Sequence, residues 1–433
     1  MILLRWREIV DLDLGQLDGG VTDDAVTGIK ADSRDVGPGD LFVALNTGVQ
    51  YVAQARDRGA ATLVPDDQHA ALAALAALVR SKSDARVVAV VGSAGKTSTK
   101  DILGALCAPH APTIWSERSL NNEIGLPLTL FQLEPETEIL VAEMGMRGIG
   151  QIASLCAIAR PSVALVTHVG PEHLELLGTV ERVAEANAEA VAALPSGGTA
   201  VVPASAAELE PYLDRDDITI RRFESQDVEL ADGRGRFAID GRVVELELPF
   251  TQRHQAVNAL AALHAYAALG LPLDGANRGA SDIALSPWRG EEVRLPGGGL
   301  VVNDAYNANP ESVRAALKAL VALAGGGRRT WAVLGEMREL GGDSVAEHDA
   351  IGRLAVRLDV RRLVVVGEGA RPMHLGAGME GSWGDETAFV ADPDGAVALL
   401  RAELAPGDVV LVKASRAAGL ERVAEALLEG VPR

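Results

Sequence analysis

The sequence predicts an α/β protein of about three units, and three observations carry that reading. Short Val/Leu/Ile runs alternate with Ala-rich stretches of helical period along most of the chain, as buried parallel strands joined by helices require. The 433 residues exceed what one core usually serves, since a domain takes roughly 150. The apolar run Arg86–Val91 opens directly into a glycine-bearing loop and a helical pattern, a strand–loop–helix unit.

Leu41–Leu45 and Ala61–Val64 read as strands, with helices near Tyr51–Arg58 and Gln68–Arg80. The polar stretch Ser81–Asp84 sets a first boundary and Ser286-Pro287 a second, giving units 1–84, 85–287 and 288–433. In the middle unit Arg86–Val91, Ile139–Ala142, Val163–Thr167 and Thr199–Val202 are strands. Phe237–Ile239 and Val243–Leu248 read as a hairpin through Asp240-Gly241, and Gln255–Leu269 as a helix stopped by Gly270. Strands Leu300–Val302, Thr330–Leu334, Leu363–Val366 and Val409–Val412 repeat the rhythm in the last unit.

Sixty acids against 40 Lys+Arg give a net charge of -20, which argues against non-specific binding to nucleic acid or to an anionic membrane. Any polyphosphate ligand must then be held by a local site. Cys107 and Cys156 cannot form a disulfide framework for a chain this long. Charges interrupt Met1–Glu8 too early for a signal peptide, and no run reaches the 18 or so apolar residues of a membrane span. The expectation is a cytoplasmic monomer with no nucleic-acid partner and no membrane insertion.

The strongest chemical signal is Gly92-Ser93-Ala94-Gly95-Lys96-Thr97-Ser98 after the apolar strand. Backbone N–H groups at such a helix start cradle phosphate oxygens, Lys96 adds a point charge, and the Thr97 hydroxyl suits Mg²⁺. Val90 stands where the usual motif has its first glycine, so an ordinary strand–helix turn is the competing reading. Glu143 ends an apolar strand, and a carboxylate beside a Thr hydroxyl makes a hard-oxygen set for Mg²⁺. Taken alone it is also a plain solvated charge, and His173 a plain surface histidine. Asn303–Pro310 follows a strand, where its polar side chains fit either a helix start or a ligand crevice.

Together with Ala31–Arg34, Ser119–Pro127, Val333–Gly341 and Val412–Arg416, and in this order along essentially the whole chain, these segments resemble the Mur ligase family. Its members are ATP-dependent amide-forming enzymes of peptidoglycan synthesis. The resemblance implies a three-domain Mur ligase architecture: an N-terminal UDP-sugar domain, a central P-loop ATPase-like domain and a Rossmann-like C-terminal domain. It implies ATP and Mg²⁺ as cofactors, and an acyl phosphate formed before the amine attacks. The branch it resembles most takes UDP-N-acetylmuramoyl-tripeptide and D-alanyl-D-alanine. Another acid or amine substrate, or a non-catalytic nucleotide-binding protein, is the alternative.

The resemblance also assigns roles. Gly92–Ser98 and Lys96 would hold the phosphates; Thr97 and Glu143 would bind one Mg²⁺ and His173 a second. Asn258 would read adenine, although Gln255 replaces a frequent Asn, and Arg289 with Asp304 would lie near the γ-phosphate and ribose. Asn121 and Asn122 would line the muramoyl-peptide channel. Tyr306, Asn307, Asn309, Lys413, Ser415 and Arg416 would face the centre from the last domain, and Ser33 with Arg34 would meet the UDP-sugar. Because these residues fall on two units, domain closure is expected. Two departures stand out: Asn187 replaces a CO₂-modified lysine that carries a carboxylate toward the second metal, and the segment Leu45–Tyr51 is shorter than in the family. The expectation is that a water bridges from Asn187 to the ion, or that Asn187 merely faces solvent. Glu189, turned away on the same helix, is a weaker substitute.

Overall fold

A computed structural model describes residues 1–19, 25–295, 297–381 and 384–429. Five sheets are present among them. The N-terminal sheet has four strands, in the order Gly15–Asp18, Ala61–Pro65, Asp40–Val43 and Gly28–Lys30. The expected helix near Tyr51 is Val52–Asp57, and a 3-10 helix, Asn46–Tyr51, occupies the shortened segment before it.

The central sheet has six strands, all parallel, in the order Thr219–Phe223, Thr199–Pro203, Val163–Val166, Arg86–Val91, Ile139–Glu143 and Thr113–Trp115. Its register pairs Val90 with Glu143 and Val91 with Val166, so three loops leave the sheet at one level. The expected hairpin is there, Arg234–Ile239 against Arg242–Glu247, with Val228–Ala231 as a third antiparallel strand. The C-terminal sheet runs Glu291–Arg294, Leu300–Asn303, Val409–Lys413, Thr330–Leu334, Arg362–Val366 and Thr387–Val390, parallel except for its first pair. Here Asn303 and Val333 both pair with Val412, which brings Asp304, Gly335 and Lys413 to the carboxyl edge.

Open α/β sheets bind ligands at these edges, and the two edges face each other. The short, partly exposed strands Thr113–Trp115, Thr219–Phe223 and Thr387–Val390 lie on sheet edges, where one partner suffices, and sequence patterning did not expose them. One continuous hydrophobic cluster runs from Leu4, Leu41 and Leu63 through Leu72 and Leu75 to Leu126 and Leu140, so one face of the N-terminal sheet and the helix Gln68–Ser81 share a core with the central sheet. Separate clusters cover the two faces of the C-terminal sheet. Between these units Ser286 N–H donates to Asp101 Oδ2 at 2.7 Å, fixing the connecting loop to the phosphate-loop helix.

Candidate active site

The glycine loop is wedged between two side chains. Gly92 (φ 129°) and Gly95 (φ 81°) adopt backbone that other residues avoid, and a Cβ on them would lie 2.3 Å from Thr167 Oγ1 and 2.4 Å from Asn258 Oδ1. The helix Lys96–Cys107 starts there with no side-chain cap, leaving its first N–H groups to meet an anion. Ser93 Oγ donates to the Gly170 carbonyl at 3.0 Å and accepts from Gly170 N–H at 2.9 Å, stapling the loop to segment 168–170. Lys96 Nζ donates to the Gly92 carbonyl and, at 2.9 Å, to Glu172 Oε1.

Glu143 is 1% exposed. Its Oε1 accepts from Asn121 Nδ2 at 2.7 Å, while Oε2 is buried without a partner. An unpaired buried carboxylate oxygen is costly, and a hard cation beside Thr97, in the same cavity, would satisfy it. The residues therefore fit Mg²⁺. Among the described residues no group of three His, Cys, Asp or Glu is arranged to hold a metal ion, so protein oxygens would supply only part of the shell, and water and phosphate the rest. His173 Nδ1 lies 2.5 Å from Glu339 Oε2, and its Nε2 lies 3.7 Å from Glu172.

Asn187 departs from both expectations. It is 1% exposed, which rules out a solvent-facing role, and its Nδ2 donates to the Val183 carbonyl of its own helix at 2.8 Å. It lines none of the three cavities at the sheet edges. Glu189 accepts from Gly150 N–H and from Ala153 N–H, the latter at 2.8 Å, so it caps the helix Gln151–Ala159.

From the other side, Arg289 Nη2 donates to Thr97 Oγ1 at 2.9 Å, and its guanidinium stacks 3.8 Å from the Tyr306 ring centre. Tyr306 OH touches Ser119 Oγ. The buried Lys413 Nζ donates to Asp304 Oδ2 at 2.6 Å and to the Asn307 carbonyl at 2.9 Å. Burial pushes the nearby His254 down to about 4, with Asp304 opposing the shift and Lys413 adding to it. Asn258 Nδ2 donates to Gln255 Oε1 at 2.9 Å, so Gln255 orients the adenine candidate. The two halves are thus in contact in this structure.

Three cavities result. A 250 Å³ space is lined by the glycine loop, Asn258, Arg289, Asp304 and Lys413. A 430 Å³ space holds Lys96, Thr97, Asn121, Glu143 and Tyr306. A third, of 340 Å³, holds His173, Arg338, Ser415 and Arg416. Asn122 and Asn309 line these spaces, but their Oδ1 atoms accept from Gly125 and Ser312 N–H, capping helices. Ser33 and Arg34 line none: Ser33 Oγ donates to Gln54, and Arg34 pairs with Asp32 on the surface, holding that carboxyl down to about 2. Glu172, Arg147 and Arg338 line the cavities without having been singled out by sequence. Glu172 neighbours His173 and Arg338 lies within Val333–Gly341, whereas Arg147 stood near no sequence signal.

Two family models match the chain: the Mur ligase middle domain over residues 90–266 and the Mur ligase glutamate ligase domain over 288–416. The chain is 40% identical to UDP-N-acetylmuramoyl-tripeptide–D-alanyl-D-alanine ligase of Mycobacterium bovis, over 93% of this chain and 92% of that one. It is 31% identical to the Escherichia coli protein of the same name, over 99% of both. MurF from Acinetobacter baumannii superposes with a TM-score of 0.85 at 27% identity, covering 99% of this chain and 100% of that one. MurF from Thermotoga maritima in complex with ADP gives 0.80 at 28%, covering 93% and 97%. The chain belongs to the Mur ligase family. Its catalytic class is that of an ATP-dependent ligase forming a carbon–nitrogen bond.

Proposed function

We propose that the chain joins the amine of D-alanyl-D-alanine to the peptide carboxylate of UDP-N-acetylmuramoyl-tripeptide, converting ATP to ADP and phosphate. The observation that carries this reading is the junction of the three cavities. The 250 and 430 Å³ spaces share the glycine loop, Arg289 and Asn307; the 430 and 340 Å³ spaces share Arg147, Glu172, His173 and Asn307. A ligase with a nucleotide, an acid and an amine needs such a meeting point.

A carboxylate is a poor electrophile until its oxygen attacks the γ-phosphorus, ADP departs, and an acyl phosphate remains. The amine nitrogen then bonds to the acyl carbon, the bond to the phosphate oxygen breaks, phosphate leaves with the electron pair, and the nitrogen's proton passes to solvent. Lys96 and the helix N-terminus hold the outer phosphates, and Arg289 reaches them from the connecting loop. Asn258 faces the base, and Asn121 the acid's peptide end. Thr97 and Glu143 would hold a Mg²⁺ ion and His173 would lie toward a second, which would supply neutralisation of the phosphate charge. Among the described residues no helix is long and apolar enough to cross a membrane, and a cytoplasmic monomer fits soluble nucleotide substrates.

ADP release, measured with each organic substrate alone and with both, tests the reading. Sustained release is expected only with both and Mg²⁺. Vigorous ATP turnover with neither present contradicts a ligase.

A further inference from the structure

The phosphate-loop helix carries a second lysine that has no part in the chemistry above. Lys100, one turn on from Lys96, is fully buried, and its neighbour Asp101 is buried beside it. Lys100 Nζ donates to Asp101 Oδ1 and, at 2.6 Å, to the Ser116 carbonyl. A buried ion pair is a poor stabiliser, because desolvation cancels much of the attraction, and apolar residues of like volume serve a fold as well. What a satisfied buried network does supply is rigidity in the groups bonded to it.

The two partners of this pair reach different segments. Lys100 holds the residue that follows the edge strand Thr113–Trp115. Ser116 N–H donates to the Val141 carbonyl at 3.1 Å, and Ser116 Oγ accepts from Glu143 N–H at 3.1 Å. The same segment runs on to Ser119, which touches Tyr306, and to Asn121, which donates to Glu143 Oε1. Glu143 is thus gripped at its backbone by Ser116 and at its carboxylate by Asn121. Asp101 holds the other side: its Oδ2 accepts from Ser286 N–H, on the loop that brings Arg289 to Thr97. One buried pair therefore ties the segment that aims Glu143 to the loop that aims Arg289, and both meet Tyr306.

We propose that Lys100 and Asp101 are positioning residues: through Ser116 they set Glu143 for the metal, and through Ser286 they set Arg289 beside Thr97. Neither side chain lines any of the three cavities. The assignment rests on the ligase reading above.

The test measures binding of β,γ-imido-ATP, which cannot pass on its phosphate, in saturating Mg²⁺ and in EDTA. In the wild type Mg²⁺ is expected to tighten binding by about 30-fold. The double variant Lys100→Met, Asp101→Asn removes both charges but keeps an acceptor for Ser286 N–H, so its urea midpoint should stay near that of wild type. Its tightening by Mg²⁺ should fall below about fivefold, with binding in EDTA within about threefold of wild type. Its kcat should drop by about 20-fold, while KM for the UDP-linked acid changes by less than about threefold. Where it folds, the double variant decides: unchanged tightening, or equal weakening with and without the metal as a purely structural role predicts, overturns the assignment. Where it does not fold, Ser116→Ala decides. That variant leaves the pair in place, removes the oxygen that receives Glu143 N–H, and should cut the tightening by about threefold; wild-type tightening there overturns the assignment. A wild type whose nucleotide affinity ignores Mg²⁺, or that joins no amine in the ADP-release assay, overturns the reading on which the assignment rests.

Discussion

The central and C-terminal sheets aim their carboxyl ends at one cleft but furnish it differently. The central edge offers backbone: two left-handed glycines, an uncapped helix start, and beside them Lys96, Thr97 and Glu143. The C-terminal edge offers side chains, among them the buried Lys413–Asp304 pair, with Asn309 spent on its own loop and Ser415 on a neighbouring one. A phosphate-binding edge is complete within its own sheet. Its counterpart gains a function only by docking, which Arg289–Thr97, Tyr306–Ser119 and His173–Glu339 accomplish.

Substitutions on the self-contained edge should have the largest effects. Lys96→Ala is expected to lower kcat by about 100-fold or more with an unchanged circular-dichroism spectrum. Retention of more than about a tenth of kcat would remove the lysine from its assigned role. Glu143→Gln, which leaves a side chain for Asn121 but removes the charge, should raise the Mg²⁺ needed for half-maximal ADP release by at least about tenfold. An unchanged Mg²⁺ titration would free Glu143 from the metal site.

A smaller effect reads the contact between the halves through pH. His254, beside Asp304 and Lys413, and His264 are both held near 4 by burial, against an ordinary 6.5. Below 6.5 the unfolded chain binds protons that the folded chain refuses. The stability from keeping these rings neutral is therefore fully present above 6.5 and lost as pH falls toward 4, at most about 3 kcal/mol for each. Urea midpoints at pH 7.5, 6 and 5 should fall in that order, and less steeply in His264→Gln. A flat series would mean the rings are not buried neutral. The smallest expected effect is none: the wild-type rate should not respond to bicarbonate, because Asn187 offers CO₂ no amine. Stimulation by bicarbonate would show that some other amine fills that role.

The same contrast decides what the sequence made legible. The glycine loop and Glu143 are local signals, each set by the end of an apolar strand, and the structure gathers them in one cavity. Glu172 and Arg147 carry no signature of their own, and Arg338 lies inside Val333–Gly341 without standing out there, since their meaning arises where a central loop meets a C-terminal one. Asn122 and Asn309 line the cavities and also accept helix N–H bonds, and a capping amide and a binding amide look alike in sequence. The expected metal placement of Asn187 failed for a related reason: helical position fixes the direction of a side chain, and its length decides what it reaches. The shared core of the first two units was hidden because Gln68–Ser81 is amphipathic whether it covers its own sheet or a neighbour's.

The central claim is that the two edges form one catalytic unit, and a double-mutant cycle tests it most directly. Lys96→Ala, Lys413→Met and the double variant would be compared by kcat/KM for ADP release with both organic substrates present. Groups acting as a unit are strongly non-additive, so the double variant is predicted to lose no more than about threefold beyond the worse single variant. A loss equal to the product of the two single losses would contradict a shared site and leave the edges as independent contributors.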